Sequence, residues 1–267
     1  MFFPVIFLIF LFLFSCSPKK YIPKDKYLLK SNKIETSSGK IKEQQIRRYV
    51  KQKSNKRILG LKFPMYLYSL SDPEKDNNFN TFLRNKGEEP VIWDKYLTDE
   101  SRKQIEYFLN NQGYYNAEVE DTAILSDKKA EVKYKVNLKD PYRINKVTFD
   151  VRDSVLKPYI YNDTLNTLLN KGDLFKVELL EQERNRITKK LKVNGFYRFS
   201  KDFINFIADT SVNGNHRNFV DITIQINKYL IKQPEDEFKK VSHQRFRLNK
   251  IFVYPDFEPK EAISRED

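Results

Sequence analysis

Few residues of this 267-residue chain have the types and spacing that chemistry requires. The two histidines, His216 and His243, stand in polar stretches, away from the sole cysteine and from any carboxylate cluster at ligand spacing. A zinc site needs a denser set of donors. Gly60, Gly87, Gly172 and Gly214 are isolated, so no phosphate-cradling loop is formed, and no nucleophile-elbow motif occurs. Both histidines therefore read as solvated loop residues. Glu178, Glu181 and Glu183 lie among Arg184 and Arg186 on a helical stretch. They read as a solvated face whose i,i+3 and i,i+4 ion pairs contribute about 0.2–0.5 kcal/mol each. No catalytic residue, metal site or cofactor is expected, and the chain does not read as an enzyme.

Cys16 is the residue with the clearest chemistry. It ends MFFPVIFLIFLFLFSC, and Phe2 to Phe14 is almost wholly apolar. That run falls short of the about 20 residues of a comfortable membrane-spanning helix and has the length of a signal-peptide core. Leu13-Phe14-Ser15-Cys16 looks like a bacterial lipobox, which implies cleavage before Cys16 and lipid on its sulfur and amine. Phe14 is bulkier than that pattern prefers, and no Lys or Arg precedes the run, so an uncleaved anchor is the alternative. A lone cysteine forms no internal disulfide.

The remainder is basic: 49 Lys+Arg against 36 Asp+Glu give a net charge of +13. Interleaved with 21 Phe and 16 Tyr, this resembles a nucleic-acid binder on composition. The lysines are dispersed, however, and the aromatics fall at core or turn positions. An exported chain would not meet cytoplasmic nucleic acid. An anionic membrane surface, lipopolysaccharide or an acidic client fits the charge equally well.

The elements that follow are repeated. LTDESRKQIEYFLNNQGYYNAEVE, Leu97 to Glu120, reads as a helix capped by Thr98, with Ile105, Phe108 and Leu109 on its apolar face. Gly113 then provides a left-handed stop, and a strand opens at Tyr114-Tyr115. The spacing from Ile105 to Gly113 recurs from Ile187 to Gly195, where Phe196-Tyr197 follows. YRINKVTF from Tyr142 is matched by FRLNKIFV from Phe246. Repeats of this kind mark a module.

Each module is expected to carry a first strand (Tyr27 to Glu35 in the first), a first helix and the Gly-terminated helix, then two strands. The first helix is read over Lys42 to Lys53, with Ile46, Tyr49 and Val50 on one face. Leu165, Leu168 and Leu169 repeat that spacing. Alternation at Val132, Tyr134, Val136 and Leu138, and at Val220, Ile222, Ile224 and Ile226, marks sheets covered on one face. The fold class is therefore α+β: tandem β-α-α-β-β modules, each a three-stranded mixed sheet covered by two helices. The divisions are a leader with lipobox at 1–16 and a tether at 17–26. Module 1 spans 27–140 with an insertion at about 55–95, and module 2 spans 141–230. Residues 231–267 are the connector, whose stretch is read from Tyr229 to Ser242, and the first strand of a truncated third module (Phe246 to Tyr254). Leu248, Ile251 and Val253 of that strand lack a helix layer, so more sequence is expected beyond it.

The repeats, the Gly-aromatic turns and the strand opening Tyr142-Arg143-Ile144 resemble POTRA domains, the periplasmic modules of the BamA/TamA family of outer-membrane assembly proteins. GDLFKVELLEQERNRITKKLKVNGFYRFSKDFINFIADT is similar to the variants of Bacteroidetes-type bacteria, some of which carry lipoprotein-type leaders. The long insertion and the lack of a β-barrel depart from the family. The resemblance implies a periplasmic scaffold, lipid-anchored at the outer membrane, that binds unfolded outer-membrane proteins or assembly-complex subunits. It also implies that the third strand is central. The strand after each Gly turn is then an edge, near Ala117 and Val119 in module 1 and near Phe203 and Ile204 in module 2. These four residues are the candidate client-docking positions for strand addition (β-augmentation). An envelope lipoprotein binding lipid, glycan or peptidoglycan is the alternative function.

Overall fold

The computed structural model describes residues 18–211, 218–232 and 238–253; Cys16, His216 and Tyr254 lie outside them. The chain divides into two units, Met1–Arg143 with Leu174–Val177, and Ile144–Asp173 with Glu178–Asp267.

In the first unit, β1 (Leu28–Thr36) is followed by a short helix α1 (Glu43–Ile46) and a 3-10 turn at Arg47–Tyr49. The expected helix to Lys53 stops early because the Lys51 N–H is taken by Ser101 Oγ at 2.9 Å instead of a helical carbonyl. The insertion folds into α2 (Phe63–Leu70) and α3 (Asn78–Lys86). Met65 of α2 forms a small satellite core with Leu28 and Ile22. The stretch read as a tether is thus structured from Pro18, and Ile22 is buried because it supplies part of this apolar cluster. The long helix α4 (Lys95–Asn111) begins before Thr98. Its N-cap is Asp94, whose carboxylate accepts from the N–H groups of Tyr96 and Leu97. Thr98 is buried one turn in, and its hydroxyl bonds the Asp94 carbonyl at 3.1 Å.

The strands β2 (Glu118–Ser126) and β3 (Lys129–Asn137) form a hairpin. Its two turn residues, Asp127 and Lys128, both have positive φ, the mirror-type turn whose twist matches that of paired strands. The sheet order is β1-β3-β2, with β1 parallel and β2 antiparallel to the central β3. The parallel pair needs a crossover, which the helices supply. Val132, Tyr134 and Val136 of β3, and Leu138 just beyond it, alternate inward against Ile46, Ile105, Phe108 and Leu109. Full burial of side chains this size stabilises by about 1.5–3 kcal/mol each.

The second unit repeats the plan. It comprises β4 (Arg143–Val151), α5 (Lys157–Tyr161), a 3-10 turn at Thr164–Asn166, α6 (Val177–Val193), β5 (Ile204–Asp209) and β6 (Phe219–Ile226). The order is β4-β6-β5. The first helix is not where the leucine spacing placed it: Leu165 is 98% exposed, and Ile160 of α5 is the buried residue. The chain at Thr167–Leu168 is held out of helix by Glu183 of α6, which is fully buried. Glu183 accepts from the Thr167 hydroxyl at 3.0 Å, from the Leu168 N–H at 2.9 Å and from Arg186 at 2.8 Å. Arg186 also pairs with Asp163. The carboxylates of this face are therefore not all solvated; one of them organises a loop.

The segment read as a connector forms an antiparallel ribbon, β7 (Tyr229–Lys232) with β8 (Phe238–Val241). Residues 246–253, read as a strand, pair with no strand among the described residues, and Leu248, Ile251 and Val253 are exposed.

Candidate docking edges and aromatic turns

Both long helices end in the same hydrogen-bonded motif. Gly113 has φ +93° and Gly195 φ +94°. The N–H of the residue after each glycine returns to the helix, Tyr114 to the Leu109 carbonyl at 2.9 Å and Phe196 to the Leu191 carbonyl at 3.1 Å. The glycine N–H groups bond Asn110 and Lys192. This is the Schellman closure, which places one residue in the left-handed region where a Cβ is penalised. Tyr114 and Phe196 then turn into the cores. The glycine carbonyls point onward: Gly113 accepts from Tyr142 and Gly195 from Phe246, both at 2.8 Å.

The opening strand of each unit has its outer edge covered by the chain just ahead of the long helix. In unit one, the Leu29 N–H donates to Val91 at 2.8 Å, and the Trp93 N–H to Tyr27 at 2.7 Å. In unit two, the Ile144 N–H donates to Asp173 at 2.9 Å, and the Gly172 N–H to Ile144 at 2.7 Å. The other edges, β2 and β5, pair with no further strand among the described residues. An unpaired edge strand presents a row of free N–H and C=O groups to an incoming strand.

The four candidate docking residues serve the core with their side chains. Ala117 precedes β2, and its N–H bonds the Tyr114 carbonyl. Val119 is buried in the first core and Ile204 in the second. Phe203 sits in a 3-10 turn against the rings of Phe199, Tyr229 and His243. The exposed apolar side chains on these strands are Ile124 and Leu125 of β2 and Ile207 of β5. Period-two alternation could have identified Ile124 and Ile207, which fall outside the inward set, but not Leu125, which shares the parity of the inward Val119 and Ala123 and is exposed near the hairpin turn.

His243 is buried rather than solvated. Its Nδ1 lies 2.8 Å from Asp153 Oδ2, and its backbone N–H donates to the same oxygen at 2.7 Å. Burial pushes the Asp153 carboxyl up, but the His243 contacts and the Val155 N–H outweigh it and hold the group below its usual range. Nothing in the local sequence, VSHQ, signals a partner so far along the chain.

In unit one, Lys30, Lys33, Arg47, Arg48, Lys53 and Arg57 line a groove of about 860 Å³. Glu131 on its wall pairs with Lys33 and Lys30, which draw its carboxyl down to about 2. Nearby, the Lys62 ammonium is buried, bonds the Leu29 carbonyl at 3.0 Å, and is lowered to about 8 by desolvation and then by Arg57. No cluster of three or more metal-ligating side chains occurs among the described residues, and none of their helices is long and apolar enough to cross a membrane.

Several solved structures are similar to this chain. BamA POTRA3-5 of Haemophilus influenzae is 13% identical over 77% of this chain and 68% of that one, with a TM-score of 0.38. BamA from Haemophilus ducreyi lacking POTRA domains 1-3 is 14% identical over 75% of this chain, with a TM-score of 0.37, and only 29% of that chain is spanned. POTRA1-2 of the periplasmic domain of Omp85 from Anabaena is 14% identical over 75% of this chain and 94% of that one, with a TM-score of 0.34. No family model and no curated protein matches the chain.

Proposed function

We propose that this chain is a periplasmic scaffold of an outer-membrane protein assembly or translocation factor. It binds unfolded outer-membrane proteins or assembly-complex subunits by strand addition, without catalysis or cofactor. The observation that carries this reading is the asymmetry of the two sheets: each closes one edge with its own chain, and among the described residues nothing pairs with the outer edge of β2 or β5. Backbone pairing at such an edge supplies affinity with little demand on client sequence, while exposed side chains such as Ile124 and Ile207 add contacts. A lipid on Cys16 would hold the scaffold at the periplasmic face of the outer membrane, and nucleic acid is not among its partners.

The test is photocrosslinking from a reactive residue placed at Ile124 or Ile207, in cells exporting outer-membrane proteins. Adducts with unfolded clients or assembly subunits, enriched over the same probe at the exposed, off-edge Lys189, support the reading. Equal labelling from all three positions overturns it. The basic groove favours a second reading, an envelope lipoprotein that binds an anionic lipid or glycan. Retention on lipopolysaccharide that is lost in Arg47→Gln/Arg48→Gln would support that alternative.

A further inference from the structure

In the insertion of the first unit, Ile58 and Leu61 exchange backbone hydrogen bonds at 2.8 and 3.0 Å. They close a two-residue turn over Leu59 and Gly60. Both turn residues have positive φ, Leu59 at +51° and Gly60 at +82°. This is the mirror-type turn, whose first position favours asparagine, aspartate or glycine. Leucine meets a steric penalty there. It gains nothing from burial in return, because Leu59 is 98% exposed. A strained residue that the fold does not use points to a use outside the fold. Its neighbours extend the apolar tip. Ile58, Leu61 and Phe63 are exposed. Ile58 and Leu61, as a directly paired couple, stand side by side on one face of the turn.

The base of this tip is cationic. Lys53, Lys56 and Arg57 lead into the turn and are exposed. Lys30 and Arg57 line both the groove already described and a second cavity of about 420 Å³, which Gly60 and Leu61 also wall. The carboxylates here are engaged elsewhere. Glu131 pairs with Lys30 and Lys33, Asp127 with Lys129, and Glu88 accepts the Lys56 N–H at 2.9 Å. The side chains of Lys53, Lys56 and Arg57 are left in no ion pair among the described residues.

The place of the N-terminal segment supplies a separate observation. Pro18 lines the same second cavity as Gly60 and Leu61. Cys16 stands two residues before Pro18, a reach of at most about 7 Å. Lipid on Cys16, or the apolar run Phe2 to Phe14 left uncleaved, would each bring a bilayer to the face that carries the turn.

We propose that the Ile58–Leu61 turn is a membrane-contact element. Leu59, with Ile58 and Leu61, enters the apolar boundary of an anionic phospholipid leaflet, while Lys53, Lys56 and Arg57 meet the headgroup phosphates. An apolar tip above a ring of cations matches the layering of such a surface. A soluble polyanion would engage the cations and leave Leu59 in water. The inference rests on neither reading of function given above, since it needs no strand addition and no ligand in the groove.

The experiment uses the full chain, reconstituted on vesicles through its apolar N-terminal segment. A dansyl amino acid is encoded in place of Ile58 or, as a control, of Lys40. Lys40 is exposed and lies past the Thr36 end of β1, whose Leu28 end lines the second cavity. The vesicles are phosphatidylcholine alone, or one part phosphatidylglycerol to two of phosphatidylcholine, with nitroxide on the acyl chains as quencher. Quenching of the probe replacing Ile58, and not of the one replacing Lys40, is expected on the anionic vesicles. Arg57→Gln should lower the turn's partition, read from the quenched fraction, about fivefold. Leu59→Asn suits the turn better and should leave the melting temperature no lower. It should nonetheless cut the partition about tenfold. Equal quenching at the two positions, none at Ile58, quenching as strong on neutral vesicles, or indifference to Leu59→Asn each overturns the inference. So does a probe response to heparin without vesicles that equals the response to anionic vesicles, which would assign the cations to a soluble glycan.

Discussion

His243 places two nitrogens, Nδ1 at 2.8 Å and its backbone N–H at 2.7 Å, on a single carboxylate oxygen of Asp153. Both residues are buried, and the contact ties the chain after β8 to the turn after β4. Asp153→Asn should therefore destabilise the protein at neutral pH, by about 2–4 kcal/mol for a buried hydrogen-bonded charge. The pH dependence has a defined sign. The folded carboxyl titrates below its ordinary value of 3.8, so its contribution is complete above that value and is lost as pH falls through the lower folded value. Urea midpoints from pH 5 down to pH 2 should show a steeper acid decline in wild type than in Asp153→Asn. Parallel curves would contradict it.

Glu183→Gln tests the buried cluster on α6. The substitution leaves Arg186 and the Leu168 N–H with a weaker acceptor, so a loss of about 3 kcal/mol is expected. Glu178→Gln, at an exposed position on the same helix, should change stability by under about 0.5 kcal/mol. Chemical denaturation of the two variants side by side decides it; equal effects would mean Glu183 is just another surface acid.

The glycines make a graded series. A Cβ at Gly195 would lie 2.7 Å from the Phe246 carbonyl oxygen, and one at Gly113 would lie 3.2 Å from that of Phe175. Both positions also have positive φ, which alone costs about 1–2 kcal/mol for a side chain. Gly39→Ala, where a Cβ meets nothing within 4 Å, should be neutral, with Gly113→Ala worse and Gly195→Ala worst. Thermal melts that rank them otherwise would refute the closure argument.

Lys62 is lowered from 10.5 to about 8 in the folded state. The unfolded chain then holds the extra proton between those values, so stability rises with pH across that window. The gain is of order 3 kcal/mol. Lys62→Met lacks it. The difference between wild-type and variant unfolding free energies should shift in favour of wild type from pH 8 to 10.5, and a flat difference would show that the ammonium is solvated.

Cys16→Ala should yield a precursor that is neither cleaved nor lipidated. Metabolic labelling with a fatty acid, followed by intact mass of the membrane fraction, reads both. Equal label on wild type and variant would remove the lipobox reading.

How much of this was legible beforehand depended on range. Ile105, Phe108 and Leu109 announced their helix because a helical face is written every three or four residues, and Gly113 and Gly195 announced its end. Val132 to Leu138 declared a half-covered strand by alternation. The first helices were misjudged at Leu165 and Leu168 because an apolar spacing says nothing of Glu183, which captures that backbone from the facing helix. His243 was misread for the same reason: its partner, Asp153, is distant in sequence. That β2 and β5 stand at sheet edges was implied by the resemblance, with its central third strand, and not by any local pattern, and the covering of β1 by Val91–Trp93 depended on an insertion that carried no readable motif.

That covering also bears on timing. β1 finds its sheet partner only in β3, with Ile34 beside Tyr134, and contacts so remote in sequence form slowly. A chain emerging from its N-terminus exposes β1 long before Lys129–Asn137 arrives. Val91–Trp93 is nearer in sequence, so its bonds to Tyr27 and Leu29 are expected to form first and to cover the strand in the interval. Pulsed hydrogen exchange during refolding should accordingly find the Leu29 amide protected ahead of the amides of β3.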